Sequence, residues 1–103
     1  MNGYSMLTDE TFIYMSVLNL EFTGLDSFDF NDMIFWPNLI ELDLSRNTIK
    51  AFSSLIPSND TYRLSKLQLH DCSLTSPPNL EVLCQSLEEL DLSDNNIRYV
   101  PRS

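Results

Sequence analysis

His70 and Cys72 stand two residues apart in the segment LQLHDCSL, with Asp71 between them. A histidine beside a thiol and a carboxylate is the raw material of an activated nucleophile. His70 is also the only histidine of the 103 residues, so any histidine-dependent chemistry must use it. A second concentration of reactive groups is carboxylate: Glu41 and Asp43, then Glu88, Glu89, Asp91 and Asp94. Paired carboxylates serve hydrolases as acid and base, and Asp91 with Asp94 has the elements of a cation site. Neither set is completed by its surroundings. The chain carries no calcium-loop spacing, no Cys/His set of the kind that holds zinc, and no glycine-rich phosphate loop, having only two glycines.

What these groups can do depends on the elements that carry them, and those elements repeat. The pattern LxxLxLxxNxL reads MSVLNLEFTGL at Met15 to Leu25 and LIELDLSRNTI at Leu39 to Ile49. It returns as LSKLQLHDCSL at Leu64 to Leu74 and LEELDLSDNNI at Leu87 to Ile97. Its third leucine-type position falls at Leu20, Leu44, Leu69 and Leu92, a period of 24, 25 and 23 residues. A fixed period in this range marks stacked units, each burying its apolar face only against its neighbours. Around the second and third leucines the residues alternate as a short strand should; Leu42 and Leu44 flank Asp43, and Leu90 and Leu92 flank Asp91. Stacking the strands in register, about 4.8 Å apart, predicts a small parallel sheet. The Asn that closes the motif can satisfy buried backbone groups at the corner. Asn47 and Asn95 fill that place, whereas Thr23 and Cys72 substitute in the other repeats and are expected to hydrogen-bond less fully. The motif sends His70 outward and Cys72 inward, so that pair is poorly placed for catalysis. An open sheet also gives clustered carboxylates no enclosure to shift their acidity.

The return segments carry further apolar anchors. Phe28, Phe52 and Val100 each follow the last motif position by three residues, an offset that suits a turn or short helix packed on the strand layer. Pro77 holds that place in the third repeat and Pro78 follows, predicting an extended turn before a helical turn at Leu80 to Cys84. DFNDMIFWP predicts a helical turn from about Asp29 to Phe35, ended by Pro37. SLIPSNDTYR is rich in turn formers and is expected to be the least ordered connection. Phe28, Phe35, Trp36 and Phe52 are expected in the core.

These residues resemble the leucine-rich repeat family over about residues 12 to 101, with LIELDLSRNTI and LEELDLSDNNI fitting its pattern closely. The short period is similar to intracellular types, among them phosphatase-regulatory subunits and acidic nuclear phosphoproteins. LQLHDCSLTS, with Cys72 in place of Asn, resembles the cysteine-bearing repeats of ribonuclease-inhibitor-like proteins. The resemblance implies an α/β solenoid with a short parallel sheet on its concave face and turns or short helices on its convex face. It implies a concave face that binds another macromolecule, generally a protein, with no cofactor and no reaction. Residues 1–14 read as an N-terminal cap or partial repeat, with Met6, Leu7, Phe12 and Ile13 as its apolar contacts, and residues 15–103 as four repeats of one domain. The last repeat stops at RYVPRS with no capping element, which would leave the Leu87, Leu90 and Leu92 layer uncovered. That reads as a fragment of a longer array, or as an end that pairs with another molecule, a homodimer included.

Fifteen acids against six bases give a net charge of -9. That balance argues against nucleic acid or an anionic membrane as partner, since both need a basic footprint. The start MNGYSMLTDETF shows no secretory pattern, and no apolar run approaches the roughly 20 residues that cross a bilayer. Cys72 and Cys84 read as reduced thiols, and the expected location is cytoplasmic or nuclear. The sequon Asn59-Asp60-Thr61 matters only in a secreted chain.

The motif's outward positions number twenty, of which eight are acidic and only Arg46 and Lys66 are basic. This acidic share exceeds that of the whole chain and predicts a groove for a basic protein segment. The candidate contacts are Glu21, Phe22, Ile40, Glu41, Asp43, Gln68, His70, Glu89, Asp91 and Asp94. Phe22 and Ile40 are expected to form an apolar patch beside the groove. Glu41, Lys66 and Glu89 should lie side by side, with Lys66 neutralising its neighbours. Asp43, Gln68 and Asp91 form the next column, free of cations. The alternatives are a recognition fragment of a secreted or cell-surface receptor, and a homodimerising structural array.

Overall fold

A computed structural model describes residues 12–53 and 62–98. The strands are β1 (Val17–Asn19), β2 (Ser27–Asp29), β3 (Glu41–Asp43), β4 (Ala51–Ser53), β5 (Lys66–Gln68) and β6 (Glu89–Asp91). Two short 3-10 helices, Phe30–Phe35 and Glu81–Leu83, lie in the connections. Strands β1, β3, β5 and β6 form one parallel sheet in chain order, and β2 pairs with β4 in a second. The register is the one the repeat demands: Leu18, Leu42, Leu67 and Leu90 stand side by side.

Each leucine layer packs on the next to make one core. Leu42, Leu44, Leu64, Leu67 and Leu69 are fully buried, joined by Phe28, Phe30, Met33 and Trp36 from the connections. Phe30 stacks on Phe52 with ring centroids 5.4 Å apart, and Phe28 meets Phe30 edge-on at 5.1 Å. The expected aromatic core is therefore present, with Phe35 and Phe52 partly buried against it. The fourth layer is thinner. Leu90 is 43% exposed where its equivalents Leu18, Leu42 and Leu67 are at 6%, 1% and 0%. Among the described residues it has a neighbouring layer on one side only.

Two expectations for the connections change. Phe28 and Phe52 lie on paired strands, not on a turn or short helix, because the residues beside each point outward while the ring points in. Ile13, expected to help cap the core, is exposed, while Phe12 does pack against it; Met6 and Leu7 lie outside the described residues. So do Val100 and most of the turn-rich segment after Ser53. The predicted helical turns are found, both as 3-10 helices. Asp29 caps the first, its carboxylate accepting from the Asn31 amide at 2.9 Å.

The corner that follows each strand has a common backbone solution. Phe22, Arg46, Asp71 and Asp94, at the same place in the four repeats, all adopt a left-handed φ between 53° and 59°. Such a conformation is unfavourable for non-glycine residues and persists only where the surroundings impose it. At three of the four it accompanies an inter-repeat hydrogen bond: the amides of Phe22, Arg46 and Asp71 donate to the carbonyls of Ser45, His70 and Ser93 in the next repeat at 3.0, 2.8 and 3.0 Å, while Asp94 adopts it with no following repeat among the described residues.

Asn47 joins its repeat to the one before. Its amide nitrogen donates to the carbonyls of Leu44 and Leu20, each at 2.9 Å, and its oxygen accepts from the amides of Thr23 and Leu25 at 3.1 and 3.0 Å. Asn95 repeats the arrangement one double-step on, donating to Leu92 and Leu69 and accepting from Cys72 and Leu74. The residue between each pair of donating amides, Gly24 or Ser73, is also left-handed, at φ 76° and 58°. Their equivalents Thr48 and Asn96 are not. The reason lies in the repeat that follows: turning two amides, two residues apart, onto one side-chain oxygen reverses the residue between them. Thr48 faces Cys72, whose side chain has no carbonyl oxygen to offer, and the Ile49 amide goes to the Cys72 backbone carbonyl at 3.4 Å instead. Thr23 and Cys72 make fewer bonds, as expected: Thr23 Oγ1 donates to Leu20 at 2.8 Å, and Cys72 Sγ to Leu44 at 3.3 Å.

Asn47→Ala therefore strands several buried backbone groups at once and is expected to cost about 2–4 kcal/mol. Thr23→Ala, at the same motif position, is expected to cost about 1 kcal/mol or less. Urea unfolding of both variants measures the contrast. Gly24→Ala meets no steric contact within 4 Å, so its expected loss of about 1–2 kcal/mol is the left-handed backbone alone.

Candidate functional site: the outer face of the four-stranded sheet

Two columns of side chains stand on the outer face. The register aligns Val17, Glu41, Lys66 and Glu89 in the first and Asn19, Asp43, Gln68 and Asp91 in the second. Shallow depressions run between the columns, one over β1, β3 and β5 and one over β5 and β6, with Lys66 and Gln68 common to both. Both columns agree with the sequence expectation. Lys66 does act as a neutraliser, its ammonium 3.9 Å from Glu89, but this pair is exposed and contributes little stability.

The second column is not purely a contact surface. Asn19, Asp43 and Asp91 each accept the amide two residues on, from Glu21, Ser45 and Ser93, at 2.8, 2.9 and 2.9 Å. These side chains end their strands by closing a local turn, a habit of Asn and Asp that the N-x-E and D-x-S spacings could have signalled. Gln68 is a methylene longer and bonds sideways instead. In the amide orientation that satisfies both neighbours, its nitrogen donates to Asp43 Oδ2 at 2.8 Å and its oxygen accepts from Lys66 at 3.3 Å. A column expected to be free of cations is thus tied to one.

Ser45, counted among the outward positions, is buried, and its hydroxyl accepts the His70 amide at 3.0 Å. Phe22 and Ile40 do not form one patch. The Ile40 amide bonds the Ser16 carbonyl before β1, while the Phe22 amide bonds Ser45 beyond the end of β3. The full strand separates them. Glu21 is paired with Arg46 at 3.5 Å and Asp94 with His70 at 3.3 Å. Glu41, Asp71 and Glu88 carry no ion pair among the described residues.

His70 and Ser93 come together as the sequence did not foresee. Ser93 Oγ donates to Asp91 Oδ1 and lies 2.9 Å from His70 Nδ1. The set has the composition of a catalytic triad without its wiring. A triad needs the hydroxyl on one ring nitrogen and the carboxylate on the other, whereas Ser93 and Asp94 both approach Nδ1. The Ser93 proton is directed at Asp91, which leaves the hydroxyl oxygen to accept from the ring. Cys72 points inward, as expected, and burial pushes its thiol up from the ordinary range. Both cysteines are free, Cys72 buried and Cys84 exposed. Among the described residues no group of three or more His, Cys, Asp or Glu could hold a metal ion, and no helix is long and apolar enough to cross a membrane.

The Ser93 hydroxyl and amide hold the Asp91 carboxyl below the usual carboxylate range. A depressed carboxyl contributes stability that is present above its ordinary value of 3.8 and lost as pH falls through the folded value. Asp91→Asn should therefore shallow the acid loss of stability below about pH 4, as read by thermal unfolding along a pH series. In the native protein Cys84 should react readily with a thiol reagent, while Cys72 should react only on unfolding.

Residues 38–59 match a family model described as leucine rich repeat, and residues 83–100 match a second with the same description. These spans contain the two repeats that carry Asn47 and Asn95. The chain is 34% identical over 90 residues to Toll-like receptor 9 of Mus musculus, an alignment that covers 86% of this chain. It spans only 9% of the length of that receptor. No solved structure matches. With the repeated motif, the parallel strands in register and these matches, the chain is a leucine-rich repeat protein.

Proposed function

We propose that this chain is a non-catalytic interaction module that holds a basic segment of a protein partner against the strand-lined, concave face of a solenoid. Leucine-rich repeats generally mediate protein–protein interaction, and the finer reading rests on charge. Acids dominate the outward positions, and after the turn-forming and paired ones are set aside, Glu41, Asp71 and Glu88 still present uncompensated carboxylates. Such a surface steers a cationic partner and sets its register more than it sets affinity. Glu41, Glu88 and Glu89 are exposed and close no turn, so the triple replacement by lysine reverses the face without touching the corners. It should weaken binding of a lysine-rich peptide by about tenfold or more, with a stability loss of no more than about 1–2 kcal/mol from the lysine column it makes beside Lys66. Wild-type binding should fall as salt is raised. Binding that survives the reversal overturns this reading.

A second reading is favoured by the similarity to Toll-like receptor 9: the chain is a segment of a recognition receptor. Cys72 and Cys84 are both free thiols, one buried and one exposed, and the Asn59 sequon lies outside the described residues. Expression of the full open reading frame in secretory cells tests it. A glycan on Asn59 supports this reading, and an unmodified cytosolic product overturns it.

A further inference from the structure

The outer face is graded along the stacking direction. At β1 it is uncharged, and exposed hydrophobics lie on or beside it: Tyr14 is 83% exposed, Val17 56% and Ile40 42%. Backbone and Asn38 hydrogen bonds bring the segments that carry them to one rim. The Ile40 amide donates to the Ser16 carbonyl, beside Val17, and the Asn38 side chain donates to the Ile13 carbonyl, holding the turn that carries Tyr14. Exposed large hydrophobics grouped this way on a small domain mark a contact surface. At β6 the same face is acidic, with Glu88, Glu89, Asp91 and Asp94. Between Val17 and Glu89 their column carries Glu41, beside Val17, and then Lys66, 3.9 Å from Glu89. From Val17 to Glu89 is three strand spacings, about 14 Å, which an extended chain covers in about four residues.

We propose that the face takes a two-part protein segment lying across the strands, with an apolar side chain on the Tyr14, Val17 and Ile40 rim and basic residues about four positions away on the β6 acids. This rests on the strand-face reading above and adds the partner's order and spacing. Charge complementarity selects the occupant: anionic lipid and nucleic acid are repelled by the β6 end, and a bare polycation leaves the apolar rim unfilled. Lys66, one strand from Glu89, disfavours an unbroken run of bases, because like charges facing each other are destabilising.

Fluorescence anisotropy of the full chain with three labelled peptides tests the proposal. One carries two leucines, a three-residue Gly/Ser spacer and two lysines; one has serines for the leucines; one has glutamines for the lysines. The two-part peptide should bind about tenfold tighter than either of the others. Its advantage over the serine peptide should vanish in the Val17→Ser/Ile40→Ser protein, and its advantage over the glutamine peptide in the Glu88→Gln/Glu89→Gln protein. All four positions are exposed, so unfolding temperatures should match wild type. If the serine peptide binds wild type as tightly as the two-part peptide, the apolar anchor is refuted and the acidic-face reading stands alone. If the leucine advantage persists in Val17→Ser/Ile40→Ser, the proposed rim is refuted. If no peptide binds, both readings fall.

Discussion

The side-chain amide of Asn47 is the interaction on which the rest of the structure depends. It satisfies two carbonyls and two amides at a largely buried corner that has no helix or sheet partner of its own. Because three of those four groups belong to the preceding repeat, the bond network is also what stacks one unit on the next. Strand register follows from it, and with register come the columns on the outer face. Asn95 does the same for the third and fourth repeats, so the described residues are joined as two Asn-bridged pairs. The junction between the pairs, at Cys72, relies on a weaker thiol contact and on backbone bonds.

The outer face shares its residues with that architecture. Asp43 and Asp91 both line the face and close the turns that end their strands, so their carboxylates are positioned by the fold before any partner arrives. The acids that remain adjustable are the longer glutamates one column away, Glu41 and Glu89, with Glu88 beside them. A partner meets a fixed row and a mobile row, separated by a shallow depression. Such a surface specifies spacing and sign without enclosing what it meets.

Much of the fold was legible because the repeat is a period. Leu18, Leu42, Leu67 and Leu90 had to share a layer once the strands stacked, and the columns followed by alternation. The helical turns at Phe30–Phe35 and Glu81–Leu83 announced themselves through Asp29, Pro37 and the Pro77–Pro78 pair. The second ladder did not, because a three-residue strand at Phe28 or Phe52 has too little pattern to distinguish it from a turn. Nor did the left-handed corners: Phe22 and Arg46 have little intrinsic tendency to that conformation and bond carbonyls one repeat away in it, while Asp71 and Asp94 tolerate it better. The candidate site was read in outline. Its columns were correct, but the buried Ser45, the Ser93–His70 contact and the separation of Phe22 from Ile40 depend on contacts between repeats that spacing within one repeat does not encode.

The sequence by itself determined the repeat, the inward leucines, the Asn bridges and the acidic sign of the outward positions, since each is a property of local periodicity and composition. Only the tertiary structure decided which of those acids are spent on turns and ion pairs and which remain for a partner. It also placed Tyr14, Val17 and Ile40 together at one rim. The physical reason is distance: a side chain in one repeat chooses its hydrogen bond from groups 21 to 28 residues away, as Asn47, Cys72 and Asn95 do. That choice exists only once the repeats are stacked.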